Sequence, residues 1–168
     1  MLWTGLSQAL DSKERASNEV TVHLPATGHV YDVRQGKYAG RTDAIKMTLT
    51  EGEPAILALL PDKVEKIAAA FDKTTVKPGT VLLLSMSNAT PAAKAQRRVY
   101  HVEVMDPKGA LVLVHTMNVN APKGSATVAV PLALDAAAGE WKCAVTDAAS
   151  GVKAETRFVV QPAEPAAP

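Results

Sequence analysis

The spacing of apolar residues changes character near Glu19. Before it, Leu2, Trp3, Leu6 and Leu10 fall on one face at helical spacing, so a short amphipathic helix is expected over Met1–Glu14. Gly5 weakens that helix by about 1 kcal/mol relative to Ala. After Glu19 the period is two. Val20, Val22 and Leu24 alternate with Thr21 and His23, the mark of a half-buried strand. Pro25–Gly28 reads as a turn, Val30–Val33 resumes the strand, and Gln35-Gly36 turns again. Ile45, Met47 and Leu49 alternate with Lys46 and Thr48, and Glu51–Pro54 turns once more. Ala55–Leu60 (AILALL) is apolar on both sides, so it belongs inside a sheet covered on both faces.

From Val64 the pattern repeats with turn signals about every dozen residues. Val64–Asp72 matches both the helical and the strand template and is taken as a strand because strands follow it. Lys77-Pro78-Gly79 turns into Val81–Ser87, and small residues fill Asn88–Gln96. Tyr100, Val102 and Val104 point inward against His101 and Glu103. Asp106-Pro107-Lys108-Gly109 fits a type I turn. Leu111–Val119, Ala126–Leu134, Trp141–Val145 and Ala154–Val160 complete seven expected strands. The predicted class is all-β: a small antiparallel sheet followed by a seven-stranded immunoglobulin-like sandwich. The expected organisation is a lead-in helix over 1–18, a small β-unit over 19–62, a sandwich over 63–161 and a disordered Pro/Ala tail over 162–168. The 19–62 unit is too short to bury much surface alone, so it should lean on a neighbour.

Composition narrows the chemistry. In 168 residues, 18 Lys and Arg balance 17 Asp and Glu, so the cationic excess that phosphate backbones demand is missing and nucleic acid is not expected as a partner. A content of 47% apolar residues supports a packed core. The lone Cys143 closes no internal disulfide, and its alternation with Trp141 and Val145 places it in the core. No secretory signal is read in Met1–Leu10, and no apolar run approaches the roughly 20 residues of a membrane span.

The run VYDVRQGKYAGRTDAIKMTLTEGEPAILALLPDKV, Val30 to Val64, resembles a segment near the C-terminus of large bacterial glycoside-hydrolase-like proteins related to the β-galactosidases. Tyr31-Asp32-Val33-Arg34, Gly36-Lys37-Tyr38, Thr42-Asp43, Gly52-Glu53-Pro54 and Ala58-Leu59-Leu60-Pro61 carry the likeness. Lys77-Pro78-Gly79, Val104–Gly109 and Gly139-Glu140-Trp141 look like the immunoglobulin-like or macroglobulin-like sandwich that follows in such proteins. The resemblance implies accessory β-domains. The catalytic barrel of such proteins has no counterpart here, and no catalytic residue of the family can be placed on this sequence.

No other motif supplies chemistry. Asp32, Asp43, Glu51 and Glu53 form the nearest carboxylate cluster, and Asp32 with Arg34 suits either a ligand contact or, preferably, a surface ion pair. His23, His29, His101 and His115 are too dispersed for a zinc spacing and are expected at the surface or in turns. Gly36–Thr42 lacks the ending of a phosphate loop. Arg97-Arg98 reads as a cationic sheet edge. Trp141 is expected in the core rather than as a sugar platform. No catalytic, cofactor or metal residue is therefore assigned. The expected contact surface is Trp3, Tyr31, Asp32, Arg34 and Tyr38, in the unit least able to bury itself. Its expected partner is a catalytic domain or subunit of a carbohydrate-active protein. The alternative is an independent adhesion module that presents Asn88–Gln96 to a protein or glycan.

Overall fold

The computed structural model describes residues 2–6, 17–89 and 96–162, with residues 2, 3 and 6 described by their backbone alone. The strands are β1 (Leu2–Leu6), β2 (Ser17–Asp32), β3 (Lys37–Thr50), β4 (Ala55–Leu60), β5 (Ile67–Phe71), β6 (Thr75–Val76), β7 (Val81–Asn88), β8 (Arg98–Met105), β9 (Met117–Ala121), β10 (Ser125–Pro131), β11 (Gly139–Asp147) and β12 (Lys153–Val160), with a short 3₁₀ turn at Leu113–His115. The chain is nearly all β. β1–β4 build one compact unit and β5–β12 the other.

The first unit is an antiparallel sheet of order β1-β4-β2-β3. The expected helix over Met1–Glu14 is replaced at its start by β1, which pairs with β4 from Leu2↔Leu59 to Leu6↔Ala55. Residues 7–16 lie outside the described part. Pairing with β4 overrides the helical spacing, because an apolar strand covered on both faces needs a neighbour on each edge. β4 meets that expectation, with Leu57, Ala58 and Leu60 at 1%, 0% and 0% exposure.

Pro25–Gly28 is not a turn. β2 runs through it, and the ladder to β3 shifts register between His23 and Gly28. Pro25 has no N–H to donate, and a break in the ladder is where a sheet tolerates it. Gly28 is required there for a second reason. A Cβ would sit 2.6 Å from Leu59 Cδ1 and 2.9 Å from the Leu60 carbonyl, so only glycine lets β2 approach β4 this closely. On β3, Gly40 adopts φ +119°, a conformation L side chains rarely take. The hairpin bends, and the first residues of β3, Lys37–Ala39, share one depression with Ile45–Thr48 of the same strand.

The second unit is a sandwich. One sheet has the order β10-β7-β5 and the other β6-β12-β11-β8-β9. All pairings are antiparallel except β6 with β12. The ambiguous Val64–Asp72 stretch is strand, β5. The sheets are joined by apolar side chains at alternate positions: Leu82, Leu84, Met86 and Val130 from one, Tyr100, Val102, Val104, Trp141, Cys143, Val145 and Phe158 from the other, all buried. Phe71 of β5 meets Phe158 of β12 edge-on at 4.8 Å between ring centroids, and Trp141 stacks on Phe158 at 5.8 Å. Leu111–Val119 is not one strand. Leu111 makes a single bridge to Met105 of β8, Leu113–His115 form the 3₁₀ turn, and continuous pairing with β8 begins only at Met117.

Candidate binding surface

β2 and β3 bring three of the five expected contact residues to one side of the first unit. Asp32 ends β2 and its Oδ1 accepts the N–H of Gln35 at 3.0 Å, which fixes the hairpin turn. Arg34 stands exposed on that turn and its Nη1 donates to the Pro54 carbonyl at 2.8 Å. Each side chain thus takes a backbone partner, and no Asp32–Arg34 ion pair forms among the described residues. Tyr38 is 37% exposed. Its hydroxyl shares a 2.8 Å hydrogen bond with His29 Nδ1, and the Lys63 ammonium lies 5.3 Å from its ring centroid.

The other two residues stand elsewhere. Tyr31 is a correction: it is 2% exposed, its hydroxyl accepts the Val64 N–H at 2.9 Å, and it belongs to the core of the first unit. Its ring is 5.1 Å from that of Tyr38, so it supports the exposed ring from beneath. Trp3 sits in β1 opposite Ala58, and its side chain lies outside the described residues.

Two shallow depressions, of about 230 and about 450 Å³, open along the bent hairpin and share Asp32, Gln35, Met47 and Thr48. The first adds Arg34, Thr50, Glu53 and Pro54; the second adds Lys37, Tyr38 and Ile45. Sequence reasoning missed Lys37, Met47, Thr48 and Thr50, because only the bend brings the two halves of β3 together. The signal for that bend was Gly40 inside an alternating strand. Carboxylate, guanidinium, ammonium, amide, hydroxyl and phenol groups line one open groove. It can hold a polar ligand by hydrogen bonds and one aromatic contact. Among the described residues, no group of three or more His, Cys, Asp or Glu could hold a metal ion.

Three polar groups of the second unit are buried, one of them against expectation. Arg98 is not a cationic edge: it is fully buried, with Nη1 3.8 Å from Asp147 Oδ2. His115 lies in the 3₁₀ turn, one of the two places expected for it, yet it is only 5% exposed, and burial lowers its pKa below the usual 6.5. The unfolded chain therefore binds a proton first as pH falls. Stability should be constant above about pH 6.5, fall as acid is added toward the folded pKa, and level off below it. Replacing His115 with Asn should flatten this part of a urea-unfolding pH profile. Cys143 is 1% exposed, with its thiol pushed up to about 12 by burial, so thiol reagents should label it only at the rate of unfolding. The proposed adhesion loop Asn88–Gln96 falls largely outside the described residues. Among the described residues, no helix is long and apolar enough to cross a membrane.

Comparison with protein-family profiles and with curated proteins finds no match. Among solved structures, the chain is similar to the adhesin InvE of Yersinia pseudotuberculosis at 10% identity and a TM-score of 0.43, over 89% of this chain and 49% of that one. It is similar to a polysaccharide lyase at 12% identity and a TM-score of 0.38, over 88% and 22%. It is also similar to a Bacteroides uniformis beta-glucuronidase at 12% identity and a TM-score of 0.33, over 94% and 26%. The chain therefore spans about half the length of the adhesin and about a quarter of the two enzyme chains.

Proposed function

We propose that the chain is a non-catalytic accessory pair of β-units from a carbohydrate-active, glycoside-hydrolase-like protein, which packs against the catalytic domain or supports assembly. The observation that carries this reading is the fate of the family-like segment Val30–Val64. Its motifs become frame and turns: Tyr31, Leu57, Ala58 and Leu60 fill a core, Asp32 and Arg34 fix the hairpin, and its exposed polar groups line an open groove. The second unit is read as immunoglobulin-like, because its strand order divides the chain between two sheets as a Greek key does.

Co-expression with a barrel-bearing protein encoded beside it tests the reading. A complex that survives gel filtration and is weakened when the groove is altered supports it. A stable chain indifferent to such a partner contradicts it, and turnover of chromogenic glycosides by the pure chain would replace it with an enzyme.

The groove itself favours a second reading, direct glycan contact, through the exposed Tyr38 ring beside Asp32, Gln35 and Lys37. On a glycan array, Tyr38→Ala should then reduce binding about tenfold or more, the loss of one aromatic contact plus its hydrogen bond. The melting temperature should move little, since the ring is more than one-third exposed.

A further inference from the structure

We draw no further inference here: the strongest candidate, the uncharged outer face of the β10-β7-β5 sheet, where the exposed Ala68, Ala70, Leu83, Ser85, Thr127 and Ala129 stand side by side in register, carries nothing because nothing in the structure shows what covers it.

Discussion

Asp147→Ala is expected to lower the unfolding free energy by about 3–5 kcal/mol, the usual cost of removing one partner of a buried ion pair. Arg98 and Asp147 are both at 0% exposure on neighbouring strands, and their charged atoms approach to 3.8 Å. None of the three guanidinium nitrogens of Arg98 has a hydrogen-bond partner among the described residues, so the Asp147 charge is its main compensation. Without Asp147 a full positive charge would stand in the core beside Tyr100. That phenol is raised to about 12, first by burial and then by Asp147, with Arg98 opposing, so its titration should also move downward in the variant. The double replacement Arg98→Met with Asp147→Leu should recover most of the loss, because two apolar side chains avoid the desolvation that the ion pair only partly offsets. Urea unfolding of the three proteins checks this. An Asp147→Ala variant less than 1 kcal/mol below the wild type would mean that Arg98 finds water or another acceptor.

The alternation that revealed β8 and β11 also held this pair, although the charges drew the reading elsewhere. Arg98 shares the parity of Tyr100, Val102 and Val104, and Asp147 that of Trp141, Cys143 and Val145. Carried one step further along each strand, period two places both charges on the inner face. Only the ordinary preference of Arg for solvent argued for an edge. Tyr31 went the same way, a ring taken for a surface contact because its unit seemed short of core. The sandwich class, the buried β4 and the core Trp141 were legible because each follows from local periodicity and apolar content. The bend in the β2–β3 hairpin, the strand at Leu2–Leu6 and the break in Leu111–Val119 were not. Each depends on which strand lies alongside, and a chain with two plausible periods takes the one its neighbour pairs with. The same reason hid half of the groove. Asp32, Arg34 and Tyr38 flank one turn and could be grouped by sequence, whereas Met47, Thr48 and Thr50 reach them only through the bend.

Trp141→Ala should cost about 3–5 kcal/mol, the range for truncating a buried aromatic side chain. Trp141 is 6% exposed, its ring stacks on Phe158, and Phe158 in turn meets Phe71 of the opposite sheet, so three rings bridge the sandwich. Truncation removes the outer ring of that bridge and leaves a cavity that strands on both sides are held from closing. The indole Nε1–H also donates to the Ala137 carbonyl at 2.9 Å, tying the β10–β11 connection to the core. Trp141→Phe separates the two contributions. It keeps most of the stacking and loses the hydrogen bond, so its cost should be about 1–2 kcal/mol. Ala137 is exposed, and its carbonyl can turn to water once the indole is gone, which holds the figure at that level. Thermal and urea unfolding should rank the proteins as wild type, Trp141→Phe, then Trp141→Ala. A Trp141→Ala variant that keeps its melting temperature and loses polysaccharide binding would move this ring from the core to a sugar platform. The burial, the bond to Ala137 and the contact with Phe158 all oppose that outcome, because a buried ring held by both neighbours has no free face to offer.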